Sequence, residues 1–166
     1  MASKTIKENI MRYFSEVVGN GNLEPINDLV HPQAKDLSGE WPDGREGFRQ
    51  HISWFHSAFD ISNITVERII TDGKYAAVYW RVKGRHIGDA FGLEPSGKQI
   101  ENSAISTLRF LDGKIFEYEV MFDMLFFLCK LVTWEPGQNI STTDMPKNNH
   151  ACNIILNNYR TNPHCI

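Results

Sequence analysis

The sequence predicts an α+β fold, with helices laid on one face of a curved antiparallel sheet. Three observations carry this expectation. Apolar residues recur at helical spacing up to Asp60 and at alternating spacing after it. Two Asp-Gly pairs, in "TDGK" at 71–74 and "LDGK" at 111–114, each lie between alternating runs, which is the pattern of a β-hairpin. The helical and extended segments are segregated along the chain, as α+β folds require.

The first helix is expected over 4–18, where Ile6, Ile10, Phe14, Val17 and Val18 share a face and Ser3 can cap the start. "GNGN" at 19–22 breaks it. A short second helix follows at 23–30, capped by Asn22, with Pro25 tolerated in its first turn and "HP" at 31–32 ending it. A polar, turn-rich stretch leads to "EWPDGREG" at 40–47. The third helix, about 45–59, buries Phe48, Ile52, Phe55 and Phe59. Four strands follow as a meander: "NITVERIIT", "YAAVYWRVKGRH", "QIENSAISTLRF" and the stretch that begins "KIFEYEV". "DMLFFLCKLV" at 123–132 reads as a strand or a short helix, and the spacing of its apolar residues suits a helix. Residues 135–166 change texture. They read as a polar tail with little core of its own, docking on the domain or on a neighbouring subunit.

At 166 residues the chain suits one domain with a core. A net charge of −3 with scattered Lys and Arg points away from nucleic acid and anionic membranes. No apolar run reaches the roughly 18–20 residues that span a bilayer, and the N-terminus lacks the apolar segment of a secretory signal. Cys129, Cys152 and Cys165 are odd in number and widely spaced, which favours free thiols in a reducing cytoplasm.

Alternation assigns the strand faces. Val78, Trp80, Val82, Gly84 and His86 form the inward set of the second strand. Asn102, Ala104, Ser106, Leu108 and Phe110 form that of the third. In the fourth, Phe116, Tyr118, Val120 and Phe122 are expected inside. Glu117 and Glu119 then face outward, where Arg81 or Arg109 can pair with them. A buried, unpaired carboxylate would cost several kcal/mol or shift its pKa.

Three segments, "WPDGREGFRQHISWFHSAF", "GRHIGDAFGLEPSGK" and "RFLDGKIFEYEVMFDMLFFLCKLV", resemble the SnoaL-like polyketide (ester) cyclases in order and spacing. The resemblance covers about residues 6–134. It implies a cone-shaped α+β barrel, shared with ketosteroid isomerase, limonene epoxide hydrolase and the nuclear transport factor, that encloses an apolar pocket. It also implies a homodimer through the outer sheet face and no metal or organic cofactor. In the ring-closing members a pocket aspartate on the last strand moves the proton of an intramolecular aldol reaction. Aligning the shared "DGKI" places Val120 at that aspartate, and valine neither accepts nor donates a proton.

Against that frame several residues carry chemistry. His86 ends an inward set and titrates near neutrality, so it is a candidate acid or base; otherwise it is a polar loop histidine. Asp123 is a candidate acid or the cap of a following helix. Tyr118 can donate a hydrogen bond to a carbonyl or epoxide oxygen, or simply pack. His51, Trp54, Trp80, Asn102, Ser106, Val120 and Phe122 are candidate substrate-binding residues lining the pocket. Glu119 would enter only if a bulge reversed its strand. His51, His56 and His86 make no familiar metal motif. "GDAFGLEPSGK" at 88–98 is Gly-rich but lacks the phosphate-loop pattern, and reads as a flexible lip over the pocket. Two functions follow: a cofactor-independent cyclase or isomerase acting on a polyketide-like, prenylated or epoxide substrate, or a ligand-binding or dimerisation module of the same shape without chemistry.

Overall fold

The computed structural model describes residues 2–131. Helix α1 spans Ala2–Arg12, so it starts ahead of Ser3, and continues as a wider π-helical segment over Tyr13–Gly19. Tyr13, Phe14, Val17 and Val18 are all buried. Adjacent apolar pairs four residues apart overfill the stripe of a 3.6-residue helix, and the wider turn brings both members of each pair inward. The segment closes on Gly21 N–H to Val17 O and Asn22 N–H to Glu16 O, both 3.0 Å. His56 Nε2 reaches the Val18 carbonyl at 3.0 Å.

Helix α2 is only Ile26–Leu29. The expected cap works on the turn before it, where Asn22 Oδ1 accepts the Glu24 N–H at 3.1 Å. Val30 then turns extended and opens strand β1, Val30–Asp36, where the sequence suggested a loop. This strand lies at a sheet edge and pairs parallel to the last strand, with a register break between Val30 and Lys35. Pro32, which has no N–H to donate, is tolerated there because an edge strand bonds on one side only.

Helix α3 spans Arg45–Ala58 and buries Phe48 and Ile52. A Cβ at Gly47 would lie 1.8 Å from the Pro42 carbonyl oxygen, so glycine alone allows the Trp41–Pro42 loop to press against the helix. Strand β2 follows directly as Phe59–Asp72, longer at its start than expected. Strands β3 (Tyr75–His86), β4 (Gln99–Leu111) and β5 (Lys114–Phe122) complete a meander, and α4 is Met124–Leu131, a helix as its spacing suggested. The sheet order is β1-β5-β4-β3-β2, five strands rather than four and antiparallel except at β1 and β5. Register shifts after Ile61 and Val66 in β2 add bends to the sheet, as bulges do. The helices cover its concave side, and the result is the expected α+β cone.

Burial in β3 and β4 alternates as the sequence predicted, from Ala76 to His86 and from Ile100 to Phe110. In β5 the register slips between Arg109 and Phe110. As a result Ile115, not Phe116, faces the core. Phe116 lies outside, its ring under the Arg109 guanidinium at 4.4 Å. Beyond the slip Tyr118, Val120 and Phe122 face inward as expected. Glu117 is outside and takes both arms of Arg109, Nε at 2.7 Å and Nη2 at 2.5 Å. Glu119 accepts from Thr107 at 3.5 Å. Arg81 pairs instead with Glu67 and Glu101.

Two apolar clusters result. The larger joins α1 and α3 to the sheet through Ile10, Phe14, Phe48 and Trp80. The smaller gathers Phe59, Ile100, Phe127 and Leu131. No helix among the described residues is long and apolar enough to cross a membrane. The expected tail, 135–166, lies outside the described residues.

Candidate active site

A cavity of about 90 Å³ opens between α3 and the concave face of the sheet. That holds several waters or one ring-sized group, and is below the roughly 300 Å³ at which ligand pockets begin. Its wall is aromatic and aliphatic, with polar atoms from few residues. His51, Trp54, Trp80, Asn102, Tyr118, Val120 and Phe122, all expected at the pocket, line it. Phe91, in the segment read as a lip, closes the mouth against Trp54 (5.3 Å between centroids) and Phe127 (6.2 Å).

Phe91 sits in an unusual turn. Ala90 and Leu93 exchange backbone hydrogen bonds of 3.2 and 3.0 Å, and the two residues between them have φ of 56° and 74°. Positive φ at both central positions is the type I′ pattern, which favours Asn, Asp or Gly at the first and Gly at the second. Gly92 fits, whereas phenylalanine at the first is a costly choice. Its ring packs into the cavity mouth.

Tyr118 is held from behind. Trp80 Nε1–H donates to Ser106 Oγ at 2.9 Å, and Ser106 hydrogen-bonds Tyr118. Burial pushes the Tyr118 hydroxyl well above the ordinary tyrosine range, against the Ser106 bond, and the nearby Asp36 charge adds to the rise. A phenol so placed stays protonated and can donate to a substrate oxygen. Ser106 is fully buried behind this pair and is not part of the cavity wall.

His51 comes from the middle of α3. Its ring stacks flat on Trp41, 5.2 Å away with 9° between planes, and meets Tyr118 edge-on at 6.1 Å. Nδ1 lies 3.6 Å from Asp36 Oδ2, an ion-pair distance slightly long for a hydrogen bond. The Asp36 side chain is only 5% exposed. Its other oxygen accepts the Ser38 N–H at 2.8 Å and the Ser38 hydroxyl. Burial raises the Asp36 carboxyl, yet the close approach of His51, the Ser38 bonds and the His51 charge outweigh it and hold it below the usual range. Asp36 and Trp41 were invisible as site residues in the sequence. Asp36 reaches the site because β1 pairs parallel to β5, which sets it beside Tyr118.

His86 and Asp123 stand elsewhere. His86 is 0% exposed and does not line the cavity; the Phe59 ring packs on it at 5.4 Å and lies between the two. Its Nδ1 receives the Ser96 hydroxyl at 3.0 Å and the Ser96 N–H at 3.2 Å, which fixes the proton on Nε2. Burial lowers its pKa, against smaller opposing pulls from the Gly88 backbone and Asp89. The histidine therefore ties the far end of the lip to β3. Asp123 is exposed, precedes α4, and accepts the Phe127 N–H at 3.0 Å through its backbone carbonyl, outside the cavity wall. Among the described residues, no group of three or more His, Cys, Asp or Glu is arranged to hold a metal.

A cone of helices on a bent sheet, closed over an apolar cavity with a few hydrogen-bonding groups, defines a protein of the cone-shaped α+β class. The chain belongs to the SnoaL-like polyketide cyclase family, whose sequence profile matches residues 8–129. It is 24% identical over 99 residues to the nogalonic acid methyl ester cyclase of Streptomyces nogalater, covering 57% of this chain and 74% of that one. It is 26% identical over 110 residues to the aklanonic acid methyl ester cyclase AcmA of Streptomyces galilaeus, covering 63% and 76%. The fold superimposes on TsrD from Streptomyces laurentii with a TM-score of 0.67 at 19% identity, over 78% of this chain and 93% of that one.

Proposed function

We propose that this protein is a cofactor-independent cyclase of secondary metabolism that closes a ring in an apolar, polyketide-like keto ester by acid–base catalysis. The observation that carries the reading is the makeup of the cavity wall. Aromatic faces there suit a flat or folded carbon skeleton, and among the described residues only His51, Asn102 and Tyr118 offer strong polar side chains to orient it. Holding a flexible chain so that its reacting carbons meet can itself lower a barrier by about 7–11 kcal/mol. Tyr118 serves as donor to the carbonyl oxygen on which charge develops, and Asn102 fixes the second polar end. Loading a substrate of polyketide size requires Phe91 to swing out of the mouth. Ile70, Tyr75 and Tyr79, exposed on the outer face of the sheet, suit the homodimer that the family resemblance implies.

The test is a panel of keto esters that includes the methyl esters of nogalonic and aklanonic acid, followed by liquid chromatography and mass spectrometry. Ring closure by aldol addition gives a product of unchanged mass and new retention time. Binding without conversion across the panel would favour the alternative, a ligand-binding module, for which Val120 at the family's aspartate position is the supporting observation. A sedimentation mass of one chain would overturn the dimer.

A further inference from the structure

With valine at position 120, strand β5 offers the cavity no carboxylate. Among the described wall residues only His51 and Tyr118 carry a titratable side chain, and Tyr118 is held protonated. We propose that the proton is moved by the imidazole of His51, from helix α3, with Asp36 of β1 as its positioning residue. This deepens the cyclase reading and rests on it for the reaction, though the state of the ring can be tested alone.

The geometry supports each part. Nδ1 faces Asp36 Oδ2 at 3.6 Å, and apo-state contacts of this kind often tighten when substrate binds. A carboxylate on one ring nitrogen fixes the proton there and leaves the other nitrogen with its lone pair. The ring forms part of the cavity wall, and Nε2 is the nitrogen left to meet a bound substrate. Flat stacking on Trp41 restrains the ring plane and places an indole face against the imidazolium formed in the reaction. Asp36 is itself anchored by Ser38, and the Leu37 N–H bond to the Tyr118 carbonyl at 2.9 Å locks the strand end that carries it. The titratable groups around the ring are Asp36, Tyr118 and, one ring further, Tyr13, whose hydroxyl is held well above its ordinary range by burial.

The step balances without any co-reactant. Nε2 takes a proton from the carbon beside one carbonyl, and the C–H electrons become an enolate. The enolate carbon attacks a second carbonyl of the same molecule, forming the C–C bond and breaking the C=O π bond. The alkoxide so formed, receiving a hydrogen bond from Tyr118, takes the proton back from the imidazolium.

Two measurements test this. The first uses ¹⁵N-labelled wild-type protein without ligand, in which imidazole NMR reports the tautomer. The neutral form of His51 is expected to carry its proton on Nδ1, and to lose that preference in Asp36→Asn. A proton on Nε2 in the wild type overturns the proposal whatever the enzyme converts. The second uses any keto ester that the wild type converts. His51→Gln should lower kcat by about 10²–10⁴-fold. Asp36→Asn should lower it less, because it leaves the imidazole in place and removes only the group that orients it. Near-wild-type turnover in His51→Gln, or in Asp36→Asn, overturns the inference while leaving the cyclase reading standing. A wild type inert toward every ester, with the Nδ1 tautomer present, overturns the cyclase reading and not the pairing.

Discussion

Ser106 carries two bonds with one hydroxyl. It accepts from Trp80 Nε1–H and bonds Tyr118, all beneath the cavity floor and away from water. Ser106→Ala would leave the indole N–H buried without a partner, at a cost of about 1–3 kcal/mol, visible as a lower urea midpoint. A midpoint within about 0.5 kcal/mol of wild type would show that this bond is not holding the floor. His86 gives a pH signature of its own. Its pKa is lower folded than unfolded, so it contributes stability above an unfolded value of about 6.5, and that contribution is lost as pH falls through the folded value. The melting temperature should therefore fall from pH 7 toward pH 5 more steeply in wild type than in His86→Gln. Equal slopes would refute this. The inward placement of Ser106, Trp80 and His86 was legible in the sequence because a strand alternates with a period of two and the Asp-Gly turns fix where each run begins. The Phe59 ring between His86 and the cavity was not legible, because it depends on where α3 hands over to β2. Phe116 was misplaced for a similar reason, since a register slip leaves no mark on an aromatic-rich run.

Among the elements, helix α3, strands β3 to β5 and helix α4 were readable with near-correct bounds, since each has its own period and punctuation. Strand β1 was not. Seven residues containing a proline, with only Val30 and Ala34 fully buried, give no alternation to detect. Asp36 was hidden with it. The lip was recognised as such, but not the way it is built. His86 ties down one end through Ser96, while the Ala90–Leu93 turn holds Phe91 at a positive φ that bulky residues avoid. Such backbone strain costs about 1–3 kcal/mol and persists where packing outweighs it. Phe91→Asn supplies the residue that the turn prefers and removes the ring from the mouth. It should speed both association and release of an apolar probe such as a fluorescent naphthalene sulfonate in stopped-flow measurements. Unchanged rates would mean that entry lies elsewhere.

At the scale of the whole molecule, the parallel seam between β1 and β5 has a consequence for how the protein becomes active. Every other strand pairing joins neighbours in the sequence, so those hairpins can zip locally. The seam joins Asp36 to Tyr118 and must wait for most of the chain, and contacts of such separation are slow to form. During translation the pocket can therefore mature only after β5 has left the ribosome, whatever order the helices adopt before it. In refolding from urea, far-UV ellipticity should return before keto-ester or probe binding does, and simultaneous recovery would contradict this. A hollow assembled so late can admit a guest only as a finished vessel, never as a half-formed one.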